Sequence, residues 1–512
     1  MSNNRFVLNR VAAGLLLGFS LLSSAAIAQN VVVNPSTVHQ TVRGFGGMNA
    51  PGWIDDLTTA QVNKAYGSGD GQVGLSIMRM RIDPNSAAWN IQVPAAKRAK
   101  ELGAILFATP WSPPAYMKSN KSLNNGGKLL PEYYSAYTTH LLDFASFMSR
   151  NGAPLYAISI QNEPDWLPDY ESCAWTGTDF VNYLNTQGSR FGDLKVIAPE
   201  SLGFTTSYSD PILNSATAAP HVDIIGGHLY GVLPKDYPLA RQKGKEIWMT
   251  EHYTESKNSG DAWPLALDVG TELHQSMVAN YNAYVWWYVR RSYGLLLENG
   301  NVSKRGYIMS QYARFVRPGS KRIGATEKPH ADVAVTAYKT PDNRIVLVAV
   351  NTGAAHRQLN ITVPSGSVGS FSKFSTSGTL NVGSGGSYKV NNGAVSLYID
   401  PQSVATLVGD LPGTASSSSA ASSSSSSAAS SASSSASGAP ALSGSSDYPT
   451  GFSKCADLGG TCAVPSGSGW TAFGRKGKWV AKYVGVGKSI ACTVTAFGSD
   501  PGGAPNKCSY QK

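Results

Sequence analysis

The sequence predicts an α/β protein with a (β/α)8 TIM barrel, an antiparallel β-sandwich side domain and a small all-β, disulfide-stapled C-terminal module. Eight short apolar runs alternate with longer, partly helical stretches across residues 43–307. Residues 308–411 are instead rich in β-branched residues and turn signals. Four of the five cysteines lie near the end of the chain. Apolar runs separated by helices are typical of a parallel barrel.

The first 28 residues predict a secretory signal peptide. Arg5 and Arg10 form a basic start, "VAAGLLLGFSLL" is an apolar core, and "AAIA" ending at Ala28 is a small-residue cleavage site. The apolar run is shorter than the ~20 residues that cross a bilayer. We therefore expect a secreted, extracellular protein that begins near Gln29 and has no membrane-spanning segment.

Eight runs predict the barrel strands in chain order. They are "GFGGM" near Gly44, "LSIMRMRI" from Leu75, "AILFAT" from Ala104, "LYAISI" from Leu155, "LKVIAP" from Leu194, "VDIIGGH" from Val222, "EIWMT" from Glu246 and "YVWWYV" from Tyr284. Between them, residues 131–150 place apolar side chains at helical spacing and predict one of the surrounding helices.

After Tyr307 the pattern becomes strand-rich, with "VAVTAYKT", "RIVLVAVNT", "LNITVP" and "AVSLYIDPQSVATLVG" separated by turn signals. The early run "NVVVNPSTVHQTV" could add strands to the same unit. We expect residues 29–42 and 308–411 to form one β domain around the barrel at 43–307. A Ser/Ala-rich linker follows at 412–447, because such a composition cannot form a core.

Two glutamates follow predicted barrel strands on opposite sides of the barrel axis. Glu163 in "ISIQNEPDW" follows the fourth strand, and Glu251 in "EIWMTEHYTES" follows the seventh. Catalytic residues of such barrels lie at the C-terminal ends of strands. Paired carboxylates at one cleft are typical of glycoside hydrolysis. Glu200, Glu255 and Asp83 also follow strand-like runs, where a structural role is about as common.

In that chemistry one carboxyl protonates the departing oxygen, so its pKa must be raised, partly by its charged partner. Asn162 could donate a hydrogen bond to a sugar hydroxyl beside the reacting carbon. We expect His228 to orient the carboxylates rather than bind metal, because no second histidine stands at ligand spacing. No cofactor is implied, since two carboxylates suffice.

Several ordered motifs resemble glycoside hydrolase family 30, and more narrowly its bacterial glucuronoxylanase branch. They are "PWSPPAYMK", "ISIQNEPDW", "YESCAWTG", "GGHLYG", "WMTEHYTES" and "YVWWYVRRSYG", and the resemblance extends from Val31 to Asp410. It implies retaining hydrolysis of β-1,4-xylan, with Glu163 as the acid/base and Glu251 as the nucleophile.

The resemblance also implies a substrate rule: glucuronoxylan is cut at sites set by a 4-O-methylglucuronate side group. A carboxylate of this kind requires a cation and hydrogen-bond donors. By similarity, Arg291 pairs with the uronate, Tyr253, Ser256 and Tyr293 assist it, and Trp287 packs on a sugar face. Arg290 alternates with Arg291 along the strand, and we expect it to point away.

Other aromatic residues follow the predicted strands. Among them Trp111 and Tyr230 are favoured as sugar-stacking residues, because a pyranose presents an apolar face to an aromatic ring. Packing at the top of the barrel is the alternative for each.

Residues 448–512 contain eight Lys and Arg against two Asp. Their cysteines, Cys455, Cys462, Cys492 and Cys508, suggest disulfides, and three pairings are open. The segment is similar to Cys-containing tails of secreted bacterial polysaccharide hydrolases. It predicts a carbohydrate-binding module that uses Trp470, Trp479 or Tyr483. A structural or secretion-related tail is the alternative.

The formal net charge is +10, but the basic residues are scattered and form no recognisable nucleic-acid motif. The expected partner is glucuronoxylan, bound by a monomer, with no nucleic acid and no membrane. A general endo-xylanase or another β-glycosidase, such as a β-1,6-glucanase, remains the enzymatic alternative. A carbohydrate-binding protein with a degenerate barrel is the non-enzymatic one.

Overall fold

The computed structural model describes most of the chain after the predicted signal peptide. The described ranges are 29–254, 256–410, 442–443, 446–465, 470–484, 487–497, 501 and 505–511. The predicted signal peptide (1–28), most of the predicted linker, Glu255 and the side chain of Tyr483 lie outside them. The chain forms two compact units, Met1–Ala421 and Ser422–Lys512.

The larger unit contains the predicted barrel. After an initial strand, β1 (Gln29–Thr41), eight parallel strands close on one another in sequence order. They are β2 (Gly44–Asn49), β3 (Ile77–Ile82), β4 (Ile105–Pro110), β5 (Ala157–Ser159), β6 (Lys195–Ser201), β7 (Ile224–His228), β8 (Glu246–His252) and β9 (Ala283–Tyr288). Each of the eight predicted runs supplies one of these strands.

Helices surround the barrel. They are α1 (Thr59–Tyr66), α2 (Val93–Glu101), α3 (Tyr134–Arg150), α4 (Gly177–Gln187), α5 (Thr206–Asn214), α6 (Pro238–Gln242), α7 (Leu267–Val278) and α8 (Lys304–Ala313), with short 3₁₀ segments at Ser86–Gln92, Ala115–Met117, Pro131–Tyr133, Gly188–Phe191 and Ala219–His221. The predicted helix at 131–150 is therefore a 3₁₀ turn that continues into α3.

The barrel interior changes from apolar to charged along the strands. Side chains alternate between the two faces of a strand, and in β3 the residues facing inward are Ile77, Arg79 and Arg81. Ile77 packs in the apolar inner layer with Phe107 of β4 and Trp248 of β8. The residues nearer the C-terminal ends are therefore free to form a polar layer beneath the mouth of the barrel.

The second part of the unit is the predicted β-sandwich. Its later strands are β10 (Lys321–Ala325), β11 (Val333–Lys339), β12 (Ile345–Asn351), β13 (Arg357–Thr362), β14 (Ser370–Thr376), β15 (Gly383–Lys389), β16 (Ala394–Ile399) and β17 (Ser403–Asp410). Their order is β15-β14-β17-β12-β11-β10-β1-β13-β16.

Strand β1 joins the two layers of the sandwich. Its later part pairs antiparallel with β10, and its first residues, 29–32, pair parallel with 359–362 of β13. This parallel pair departs from the expected antiparallel pattern, and it lies where β1 passes from one layer to the other. Val31 and Leu347 lie in the core between the layers, whereas Val348 on the other face of β12 belongs to the barrel core.

The second unit contains β18 (Phe452–Asp457), β19 (Thr461–Ala463), β20 (Trp470–Arg475), β21 (Lys478–Tyr483), β22 (Ser489–Ala491), a short helix α9 (Val494–Phe497) and β23 (Lys507–Gln511). Disulfides join Cys455 to Cys462 and Cys492 to Cys508, which selects one of the three open pairings. Phe473 stacks on Phe497 in this small core.

Within the described part of the chain, no helix is both long and apolar enough to cross a membrane.

Candidate active site

Glu163 and Glu251 meet at the C-terminal end of the barrel. Glu163 lies just beyond β5 with a positive φ of 43°, and its N–H donates to the carbonyl of Glu200 at 3.0 Å. Glu251 is the penultimate residue of β8. Both side chains are buried, and a carboxylate oxygen of each lies within 4.8 Å of the other and of a ring nitrogen of His228. The sequence-predicted pair is therefore brought together.

His228, at the end of β7, holds the Glu163 side chain. Its Nδ1 lies 2.9 Å from Oε1 of Glu163, and its Nε2 lies 3.8 Å from Oε1 of Glu200. Burial alone would lower the pKa of His228, but Glu251, Glu163 and Glu200 outweigh it and raise the pKa to about 9. The ring is therefore protonated near neutral pH and donates to Glu163.

The carboxyl of Glu163 has a raised pKa. Burial is the main cause, and the charge of Glu251 adds to it, while the hydrogen bond from His228 and the charge of Arg79 act in the opposite direction. A group with this environment retains its proton to a higher pH than an exposed glutamate. This is the state required of a general acid.

Arg79, on the inner face of β3, is the central cation of the site. It contacts a carboxylate oxygen of Glu251, and its Nη2 donates to Oδ1 of Asn162 at 2.7 Å and to Oε1 of Glu200 at 3.3 Å. Its guanidinium lies 4.7 Å from the ring centroid of Trp111. Sequence reasoning missed Arg79. The available signal was a charged residue in the middle of the apolar run "IMRMRI".

Glu200 is fully buried below the cleft, where Thr109 donates to its Oε2 at 2.9 Å. Burial alone would raise the pKa of Glu200, but Arg79 and His228 lower it to about 2. Glu200 is therefore an anion near neutral pH, and its contacts with Arg79 and His228 are those of a structural residue. Asn162 contacts Arg79 and is itself almost fully buried.

Tyr230 follows β7 and donates its phenol to Oε1 of Glu251 at 2.9 Å. Burial raises the pKa of Tyr230 well above its usual value, so the phenol stays protonated and donates. Its ring lies 5.4 Å from that of Tyr253, which lies 5.1 Å from that of Tyr293. A continuous row of aromatic rings thus leads away from Glu251.

The two neighbouring arginines after β9 point in different directions. Arg290 donates to Gln61 at 3.1 Å and to the carbonyl of Asp55 at 2.9 Å, and its side chain is 11% exposed. Arg291 is 42% exposed, lies over the ring of Tyr288 at 5.6 Å, and is 3.5 Å from Glu298. Arg291 is therefore the more exposed of the two, and its availability to a ligand stays a prediction.

Three tryptophans form a second aromatic group at the mouth of the barrel. Trp111 lies 4.8 Å from Trp53 and 5.9 Å from Trp287 between ring centroids. Trp111 is almost fully buried, whereas Trp53 and Trp287 are partly exposed. Trp53 was not identified from the sequence. Ser256 is exposed in the loop after β8.

Glu163, His228 and Glu251 have the spacing of a possible cation site, since one ligand atom of each lies within 4.8 Å of the others. The local charges disfavour that use. His228 Nδ1 already lies 2.9 Å from Oε1 of Glu163, and Arg79 already pairs with Glu251. That the enzyme works without a metal stays a prediction.

A parallel barrel with two buried carboxylates and partly exposed aromatic residues at the C-terminal ends of its strands has the architecture of a glycoside hydrolase. Residues 58–308 match the glycosyl hydrolase family 30 TIM-barrel domain, and residues 319–407 match the family 30 beta sandwich domain. The chain belongs to glycoside hydrolase family 30.

Three relatives illustrate the similarity. Glucuronoxylanase XynC of Bacillus subtilis is 43% identical over 412 residues, which cover 77% of this chain and 97% of the relative. The family 30 subfamily 8 xylanase Xyn30A of Clostridium acetobutylicum has a TM-score of 0.70 and 41% identity, covering 74% of this chain and 99% of that structure. A family 30 endoxylanase of Clostridium papyrosolvens has a TM-score of 0.68 and 37% identity, covering 74% and 100%.

Proposed function

We propose that this protein is a secreted, retaining endo-1,4-β-xylanase that cuts glucuronoxylan at positions set by a (4-O-methyl)glucuronate side group. The observation that carries the proposal is the row of aromatic rings that connects Glu251, through Tyr230, Tyr253 and Tyr293, to the exposed Arg291. Arg291 supplies a cation, and the tyrosines supply phenol groups, beside the two catalytic carboxylates.

In the first step Glu251 attacks the anomeric carbon, and Glu163 gives its proton to the departing glycosidic oxygen. Arg79 and Tyr230 hold the Glu251 carboxylate in place. The oxygen–oxygen separation of at most 4.8 Å supports direct attack, because inverting enzymes need about 6.5–9.5 Å to place a water between the carboxyl groups.

In the second step Glu163, now charged, removes a proton from water as the water attacks the covalent glycosyl–Glu251 intermediate. Protonated His228 stabilises Glu163 in this charged state, because its Nδ1–H donates to Oε1. Glu251 leaves as a carboxylate, which the neighbouring Arg79 stabilises. Because the anomeric carbon is displaced twice, its configuration is retained.

The uronate is expected to bind Arg291. Its present partner, Glu298, is 3.5 Å away and half exposed, so the contact is weak and a substrate carboxylate can replace it. Tyr293 and Tyr253 would donate to the uronate, and Trp287 would pack on a sugar ring. The role of Ser256 rests on family resemblance alone.

The relatives support the same substrate. The Bacillus protein is named a glucuronoxylanase, and the Clostridium structures are described as a xylanase and an endoxylanase. A general endo-xylanase without uronate dependence is the alternative function. The Arg291–Glu298 contact favours it, because Arg291 already has a carboxylate partner within the protein.

We also propose export and a modular organisation. The disulfides of the second unit are typical of oxidising compartments. Residues 29–42 and 308–411 would form the side domain, 43–307 the barrel and 412–447 a tether. Residues 448–512 would bind carbohydrate, with Trp470 and Trp479, both partly exposed, as the candidate contacts.

Replacing Arg291 by Ala tests the substrate rule. The value of kcat/KM for glucuronoxylan should fall by about 10- to 100-fold, the loss expected when one partner of a charged pair is removed. The value for linear, undecorated xylan should not change. Arg291→Lys is the matched control that retains the charge. Wild-type enzyme that cut both polymers equally well would refute uronate dependence.

A further inference from the structure

The loop after β5 exposes an unusual amount of apolar surface. Trp166, Leu167 and Tyr170 are 46%, 56% and 47% exposed within five residues of one another. Exposed apolar side chains in a contiguous group commonly mark a binding surface. The loop begins at Glu163, whose carbonyl accepts a hydrogen bond from the N–H of Trp166 at 3.1 Å.

Trp166 and Tyr170 form a defined pair. The indole Nε1 of Trp166 donates to the phenol oxygen of Tyr170 at 3.2 Å. Burial raises the pKa of Tyr170 to about 12, and the charge of Glu163 is the next cause, with a further contribution from Glu251. The hydrogen bond joins the two rings into one partly exposed aromatic unit in the loop that follows Glu163.

The base of this loop is anchored to the barrel by charged groups. Arg81, at the end of β3, contacts both carboxylate oxygens of Glu171, with Nε–Oε2 at 3.0 Å. Lys118 donates to the carbonyl of Ser172 at 2.6 Å, and Asp165 accepts from the N–H of Leu202 at 2.9 Å. The aromatic pair is therefore presented from a fixed base, which reduces the entropy lost on binding.

The carboxylate to which each aromatic group is connected indicates its side of the cleft. The row of rings toward Arg291 begins at Glu251, and the Trp111 group packs on Arg79, which contacts Glu251. The Trp166 loop instead begins at Glu163. In a double displacement the acid stands beside the leaving-group oxygen.

We propose that Trp166 and Tyr170 form a binding subsite for the leaving-group portion of the polysaccharide, where they stack on a pyranose ring of the departing chain. This inference rests on the proposed function. Leu167 extends the apolar surface of the same loop. Before cleavage the subsite binds the part of the chain that becomes the reducing-end product. In the second step it binds a sugar acceptor when a sugar hydroxyl attacks in place of water.

Trp166→Ala and Tyr170→Ala variants test the subsite with two substrates. One is glucuronoxylan; the other is a β-glycosyl fluoride of a glucuronate-bearing xylo-oligosaccharide, whose leaving group is too small to reach the loop. The kcat/KM for the polymer should fall about tenfold or more, as expected for lost apolar contact. The value for the fluoride should stay within about twofold, and transfer to added xylobiose should decline with the polymer rate.

Tyr398→Ala, which removes a 52% exposed tyrosine from β16 of the sandwich, is the matched control and should leave both rates unchanged. Equal losses on polymer and fluoride would mean that the loop only positions Glu163, and no loss on either would also overturn the subsite. Wild-type enzyme that fails to cut glucuronoxylan but hydrolyses another β-glycan refutes the proposed function. The loss of kcat/KM in the Trp166 and Tyr170 variants, compared between that glycan and its glycosyl fluoride, then still tests whether the loop forms the subsite.

Discussion

Glu163 and His228 share one short contact, and the proton positions on both sides of it control the proposed chemistry. The pKa of Glu163 is raised mainly by burial, and that of His228 is raised to about 9 by three nearby carboxylates. Burial therefore favours the protonated form of Glu163, and the nearby carboxylates favour the charged form of His228. As pH rises through the raised pKa of Glu163, the enzyme loses its general acid.

Replacing His228 by Gln should move the alkaline limb of kcat/KM to higher pH. Protonated His228 lowers the pKa of Glu163, so its removal lets that pKa rise further. The overall rate should also fall, because Glu163 loses its orienting contact. The measurement is a pH–rate profile, with His274→Gln on α7 as control, since burial already lowers the pKa of His274 to about 4. A limb that stays in place or moves to lower pH would contradict this account.

Replacing Glu163 by Ala should separate proton transfer from nucleophilic attack. Hydrolysis of glucuronoxylan should fall by about 10²–10⁴, the usual contribution of a general acid. A β-glycosyl fluoride, whose leaving group needs little protonation, should still react in the first step, and azide should then capture the glycosyl group with retention. The Glu251→Ala variant should lose activity on both substrates. Equal loss of both substrates in the Glu163 variant would refute its role as acid.

At the scale of elements, strand β3 links the charged layer of the barrel. Arg79 reaches Asn162 after β5, Glu200 on β6 and Glu251 on β8, which are 83, 121 and 172 residues away in sequence. Arg81 on the same face fixes the loop after β5 through Glu171 and packs over Trp53 at 4.8 Å. One strand therefore positions Glu251, the residue before Glu163, the loop after β5 and Trp53.

Replacing Arg79 by Met should lower the free energy of unfolding by about 3–5 kcal/mol, because it leaves buried carboxylates without a partner. Glu200→Gln added to this variant should restore part of the loss. In the wild type the pKa of Glu200 is lowered to about 2, so its stabilising effect is present above the unfolded pKa and is lost as pH falls toward 2. The difference between wild type and variant in denaturant unfolding should therefore shrink with acidification. A difference independent of pH would contradict the pairing.

The strand ends could be predicted from the sequence because each barrel strand is a continuous apolar run. Glu163 and Glu251 could be proposed as a pair because they lie at two of those ends. The contacts of Arg79 could not, since nothing local to "IMRMRI" indicates which strands its side chain meets inside the barrel. Arg290 and Arg291 both lie beyond β9, where strand alternation no longer sets the direction of a side chain, and the contacts of Arg290 with Gln61 and Asp55 could not be predicted locally. The parallel pairing of β1 with β13 and the choice of disulfides depend on contacts distant in sequence and were beyond local patterns.

At the scale of the whole molecule, the division into two compact units separates the barrel and sandwich from the cysteine-linked tail. The described contacts of the candidate site come from the first unit alone. We propose that the tail acts by bringing the first unit to its substrate. A linked binding unit raises the local concentration of the enzyme on an insoluble polymer.

Removing residues 422–512 should leave kcat/KM for soluble glucuronoxylan unchanged and lower the rate on insoluble xylan by about tenfold or more. Initial rates on the two forms of one substrate provide the measurement, and soluble substrate is the internal control. A truncated enzyme as fast as the full chain on insoluble xylan would leave the tail a structural role.

Uronate dependence, as proposed, requires that Arg291 and the two carboxylates act on one substrate chain. Mass analysis of the products formed from glucuronoxylan by the full-length enzyme tests it most directly. We expect one glucuronate on each product, at a constant distance from the reducing end. Products with glucuronates at random positions would contradict it.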